Sequence, residues 1–266
     1  MNDYPIHLGS SLFTLVDPEP GHEVEYNRWY ERDHFYAGCM IGPWLFAGRR
    51  WVATRALKEL RFPHDGDAVA SPVDKGSYLA TYWILDGKHD EHFGWAGPQA
   101  VELYKQRRGF HQRTHAHTVL LRHPTFAYRD DDPVPVELAL DHPYRGLAVV
   151  AVDPAEGVPD DELGMHLETE ALPALLNGSP IASMVSWSYV QMGKGTENAP
   201  MDLGLPPGPP ERRLQLFFLE ADPETVWDRF HAYADGLVAA GKGAVRFAAP
   251  FVPTVVGTDT YTDQLW

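Results

Sequence analysis

Cysteine is nearly absent: Cys39 is the only one among 266 residues. One thiol cannot make an internal disulfide, so no disulfide scaffold holds this chain together, and the usage fits a reducing, cytoplasmic setting. Long apolar runs are missing too. No stretch approaches the roughly 20 apolar residues of a membrane-spanning helix. The opening Met1-Asn2-Asp3-Tyr4-Pro5 has neither the basic region nor the apolar core of a signal peptide. Positive charge is scarce, with 22 Lys and Arg against 37 Asp and Glu and a formal net charge of −15. Such a surface repels nucleic acid and anionic membranes. These absences leave a cytoplasmic protein that handles a small molecule as the expectation, with self-association into a homodimer left open.

What is present repeats. Leu12–Pro18 and Leu147–Pro154 each read as an apolar strand closed by Asp-Pro, and Asp17 and Asp153 lie 136 positions apart. Trp51 and Trp187, each inside a strand-like run, share that offset, as do Asp86 and Asp222, each just after an apolar strand. A polar loop rich in Pro and Gly covers roughly 56–76 in the first half and 192–212 in the second. A fixed period of this kind marks repeated architecture.

Each half then reads strand, helix, strand, strand, helix, strand. The expected helices are 23–35, 97–110, 160–176 and 223–240, and the expected fourth strands are 115–122 and 251–256. Residues 129–145, with three consecutive aspartates and three prolines, read as an extended linker between a first unit, 1–128, and a second, 146–266. The fold class predicted is α+β: two tandem ferredoxin-like βαββαβ repeats. The strand Tyr78 to Leu85 is apolar on both faces, so both faces must be covered. Helices cover one and the other half's sheet the second. In this register Tyr78 and Tyr82 look into a cavity between the two sheets, and Leu79, Trp83 and Leu85 face the helices. The two long loops are expected to be mobile lids at its mouth.

The most specific local signal is Trp29-Tyr30-Glu31-Arg32-Asp33-His34, followed by Gly42-Pro43 and Gly48-Arg49-Arg50-Trp51. It resembles EthD-like members of the dimeric α+β barrel superfamily, with a Trp-Tyr-acidic-x-acidic-His run ending the first helix and a strand opening with Arg. The resemblance implies two ferredoxin-like units closing one barrel within this chain. It does not choose a reaction, because that superfamily spans lactone isomerases, polyketide cyclases, cofactor-independent mono-oxygenases and haem-handling enzymes.

On an α-helix His34 falls about 140° from Trp29, at the edge of the apolar stripe. It reads either as a proton shuttle near a cavity or as a cation capping the helix end. An ungapped alignment of 29–43 with 166–180 pairs His34 with Ala171, so one site, in the first half, is expected. His115 and His117 share a face of an ideal strand and would both touch a ligand there. No third metal ligand follows from spacing, so no metal and no cofactor are expected. His89 and His92 read as exposed, and Cys39 as a small buried hydrophobe.

The functional expectation is a cofactor-independent isomerase, cyclase, dehydratase or retro-aldol lyase acting on a small apolar, aromatic or polyketide-like molecule. His34, Tyr78 and Tyr82 would carry the chemistry, with Trp29, Tyr30, Trp51, His115 and His117 binding substrate. A cofactor-free or haem-dependent mono-oxygenase and a non-catalytic small-molecule binder are the alternatives.

Overall fold

The computed structural model describes residues 5–191 and 199–266. Each half supplies four strands. The first half has β1 (Leu8–Pro18), β2 (Leu45–Val52), β3 (Tyr78–Leu85) and β4 (Arg113–Tyr128). The second has β5 (Gly146–Pro154), β6 (Ile181–Tyr189), β7 (Arg213–Leu219) and β8 (Gly243–Pro253). Among the described residues these close one antiparallel barrel in the order β1-β3-β2-β8-β5-β7-β6-β4. The chain is thus a dimeric α+β barrel made from one polypeptide. Its halves join edge to edge, at β4–β6 over many residue pairs and at β2–β8 only through Trp51↔Pro253 and Val52↔Val252. Full closure removes the sheet edges that two separate ferredoxin-like units would expose.

The helices pack outside. In the first half α1 (Glu23–Trp29) runs on as a π-helical segment, Tyr30–Met40, and α3 (His89–Lys105) lies beside it; the short α2 (Arg55–Glu59) follows β2. In the second, α4 (Asp160–His166) runs through a π-helical turn, Leu167–Ala171, into α5 (Leu172–Leu176), and α6 (Trp227–Ala239) completes the layer. The π-helical segments begin at aligned positions, Tyr30 and Leu167. Register shifts recur as well, between Leu15 and Val16 in the first half and between Ala151 and Val152 in the second, 136 residues on.

The barrel interior is solid. Phe13, Leu15, Trp51, Leu79, Trp83, Val119, Trp187, Leu216, Phe218 and Phe247 fill it, all essentially inaccessible to solvent. This reverses the expected register. Leu79 and Trp83 point into the barrel, whereas Tyr78 and Tyr82 lie under the helices with Tyr26, Tyr30 and Cys39. Both faces of β3 are apolar, so alternation alone cannot say which is which. The larger rings, Trp51, Trp83 and Trp187, take the lumen.

Two segments expected to be loose close the ends. The linker forms a 3₁₀ turn, Val136–Leu138, whose Val136 carbonyl accepts from Trp83 Nε1 at 3.0 Å, and Val136, Ala139, Leu140 and Tyr144 join the barrel core. The first long loop buries Val69 and Ala70 completely. The guanidinium of Arg61 inside it donates to the carbonyls of Val73, Lys75 and Gly76 at 3.1, 2.6 and 2.7 Å. It is a plug, and the expected lid role does not hold for it. Part of the second long loop, 192–198, lies outside the described residues. α3 begins eight residues before the expected helix, which buries His89 and His92, and His92 Nδ1 lies 2.8 Å from the Pro43 carbonyl. β8 begins eight residues before the expected strand, because Pro250 and Pro253 masked it.

Candidate functional site

The open space lies outside the barrel, between the outer face of the first-half sheet and its helices. A cavity of about 1230 Å³ is lined by Leu12, Thr14 and Val16 of β1, by Tyr30, His34 and Cys39, by α3 from Phe93 to Lys105, and by Arg113, His115, Thr118 and Leu120 of β4. The second half supplies the remaining wall, through Val190, Gln191 and residues 199–201 and 203. Leu203 accepts from Thr118 N at 2.9 Å, and Leu205 N donates to the Ala116 carbonyl at 2.9 Å. Gly204 has φ +80°, and a Cβ there would sit 2.4 Å from the Ala116 oxygen, so only glycine allows this approach.

His34 is half-buried, and the π-helical segment sets its position. In i→i+5 geometry the residue five places on comes back over its predecessor. The His34 ring stacks on Trp29 with centroids 4.5 Å apart and planes 17° from parallel, and it meets Tyr30 edge-on at 5.2 Å. The 140° separation of an α-helix does not apply. Gly38 makes room, since a Cβ there would lie 2.9 Å from His34 Nδ1. Burial first, then the nearby positive charge of Arg113, carry the His34 pKa down to about 3, so the imidazole is neutral at physiological pH. Its neighbour Asp33 instead holds Arg108 outside the cavity, Oδ2 to Nε 3.0 Å.

His115 also lines the cavity, and the same causes bring it to about 3. Its Nδ1 lies 2.6 Å from Thr118 Oγ1, which is 2.8 Å from Thr14 Oγ1. His117 does not share its face. The bulge at Ala116 inserts a residue into β4, and His117 turns into the barrel against Phe13 and Tyr189, with no exposed surface. A shared metal or ligand at His115 and His117 is therefore excluded, as is ligand contact by Trp51, which lies inside the barrel.

The Tyr30 hydroxyl lies 2.9 Å from that of Tyr82, so Tyr30 fronts the cavity and Tyr82 stands behind it. Burial pushes both phenols well above the ordinary tyrosine value, and pushes the Cys39 thiol up to about 12. Tyr78 packs beneath Arg50, away from the cavity wall. Trp29 forms the support under His34. Arg113 carries no sequence signal. Its guanidinium lies over the Trp29 ring at 4.5 Å, and only the fold brings the start of β4 to the first helix.

The corresponding cleft in the second half is filled. Leu163, Leu167, Leu172, Phe217, Trp227, Phe230 and Leu237 pack there, and a groove of about 340 Å³ between the helices is what remains. The first long loop packs against α6 of this half: Phe62 stacks on His231 at 4.2 Å, and Trp227 Nε1 donates to the Leu60 carbonyl at 2.7 Å. The described part of each half's long loop thus packs on the other half, and the larger cleft is that of the first half.

No protein-family model and no curated protein sequence matches this chain. Solved structures match it over almost their whole length. An anthrone oxidase-like protein aligns with a TM-score of 0.52 at 10% identity, over 96% of this chain and 98% of that one. A dye-decolorizing peroxidase from Bacteroides thetaiotaomicron aligns at 0.52 and 9%, over 99% and 98%. At such identities the likeness establishes the shared fold.

Proposed function

We propose that this chain is an oxygen-using enzyme, a mono-oxygenase whose substrate is a small, flat, largely apolar aromatic molecule held in the first-half cavity. The observation that carries the reading is the cavity itself: about 1230 Å³, walled by aromatic and aliphatic side chains, with the neutral imidazoles of His34 and His115 in its wall. The anthrone oxidase-like protein of the same fold is consistent with an activated aromatic as substrate. The lyase or isomerase reading is the weaker one, because the solved structures of the same fold include an anthrone oxidase-like protein and a dye-decolorizing peroxidase.

The reaction that needs no external reductant is R₂CH₂ + O₂ → R₂C=O + H₂O at an acidified benzylic carbon. The carbon gives up four electrons and O₂ takes them. One oxygen atom becomes the carbonyl, and the other leaves as water with the two protons of the CH₂ group. His34 accepts the first proton, and the anion formed beside it stabilises the imidazolium and so restores its basicity. Tyr30, braced by Tyr82, donates a hydrogen bond to the developing oxyanion. The test is oxygen uptake with anthrone-type and phenolic substrates. Uptake by the wild type that falls about 10²- to 10⁴-fold in His34→Gln supports the assignment; no uptake with any of them contradicts it.

A second reading has its own support. Haem in this cavity would be held by the neutral imidazole of His34, with Arg113 and Lys105 in the same wall for its carboxylates. Haem bound there would supply the redox chemistry. A Soret band after haem addition that is lost in His34→Ala would favour this reading.

A further inference from the structure

We infer that the molecule bound in the first-half cavity carries an anionic group, a carboxylate or an equivalent acid, and that Arg113 is its counter-ion. This deepens the reading of the cavity as a substrate site and rests on it. Arg113 lines the cavity, half-buried, and among the described residues its hydrogen-bond and stacking partners are uncharged. One terminal nitrogen donates to Tyr104 Oη at 3.0 Å and lies 3.1 Å from Met201 Sδ, and the guanidinium plane lies over Trp29. Its Nε is buried with no hydrogen-bond partner. Among the described residues no carboxylate pairs with it, although this chain has 37 carboxylates for 22 basic side chains. The nearby Arg108, in contrast, is paired with Asp33, and Arg50 with Glu31.

Removing a guanidinium from water without an opposing charge is costly, and a donor left unmet adds to the cost. A bound anion offsets the missing charge. The geometry favours such a ligand, because the indole face and the phenol pre-organise the guanidinium and leave its other terminal nitrogen, Nη1, without a partner among the described residues. The other charged groups in the wall do not substitute for it. Lys105 is exposed at the end of α3, and the Glu102 carboxylate is engaged by Gln106 Nε2 at 3.0 Å. An anion on Arg113 would also cancel the positive field that helps hold His34 and His115 low, which couples binding to the basicity of His34.

Equilibrium binding of anthracene-2-carboxylate and its uncharged carboxamide, followed by quenching of tryptophan fluorescence, tests this directly. The wild type should prefer the carboxylate by about 10- to 100-fold, the gain expected of a charge-assisted hydrogen bond. Arg113→Met should lose that preference and keep its affinity for the carboxamide, and Arg113→Lys should retain part of it. Should Arg113→Met fail to fold, added KCl should weaken carboxylate binding to the wild type and leave the carboxamide unaffected. Equal affinities in the wild type, a preference that survives Arg113→Met, a preference abolished by Lys105→Met instead, or binding of neither ligand would overturn the inference. Selective binding of the carboxylate with no oxygen uptake from any substrate would sink the mono-oxygenase reading and leave this one standing.

Discussion

His34 stays neutral where an ordinary histidine begins to charge. Its pKa of about 3, set mainly by burial, means that the pH–rate profile should show no ionisation near 6.5 from this group. A neutral-pH inflection that disappears in His34→Gln would contradict this. The same burial links pH to stability. His34 and His115, at about 3, and His117, at about 4, stay essentially neutral between pH 6.5 and 5 in the folded state. The unfolded chain protonates there, with histidines near 6.5. With more protons bound in the unfolded state, stability falls as pH drops through that window, and no penalty remains above it. Urea titrations at pH 7, 6 and 5 should show the decline, and His117→Gln should make it shallower. The Trp29 to His34 motif made His34 legible in the sequence. Arg113 was not legible, because its meaning lies in partners that are distant in the chain, Trp29 and Met201.

The first-half π-helical segment positions His34, and it is anchored by a buried ion pair. Arg50, on β2, donates to Glu31 at 3.2 Å and to Asn27 at 2.8 Å, while Glu31 also accepts from Gly257 N at 2.9 Å. Removing one partner of such a pair strands the other charge, so Glu31→Gln should destabilise the protein by about 3 kcal/mol in denaturant titration. A change under about 1 kcal/mol would mean that water already reaches the pair. Gly204→Ala, forced into φ +80° against the Ala116 carbonyl, should cost more than about 1 kcal/mol and loosen the cavity wall. Most elements were legible to within a few residues, because hydrophobic period and turn residues are local signals. The bulge at Ala116 was not. Period-2 counting assumes an unbroken strand, and one extra residue sends His115 and His117 to opposite faces.

At the scale of the whole molecule, near-symmetry in the barrel meets asymmetry in the clefts. The 136-residue offset made the two-unit barrel legible, because strand ends and strand tryptophans share it, with a one-residue slip through the first helix of each half. Where the empty space lies was not legible. Deciding between lumen and outer face needs the summed volumes of facing side chains, and three tryptophans in the lumen settle it. The one large cleft among the described residues predicts one ligand bound per chain, which isothermal titration with an aromatic acid measures; two equivalent sites would show that the smaller second-half groove binds as well. The most direct test of the mono-oxygenase assignment is product analysis under isotopically labelled O₂ with an anthrone-type substrate. One labelled oxygen atom is expected in each product carbonyl formed by the wild type, with loss of that product in His34→Gln. Unlabelled product, or product formed equally well by His34→Gln, would contradict it.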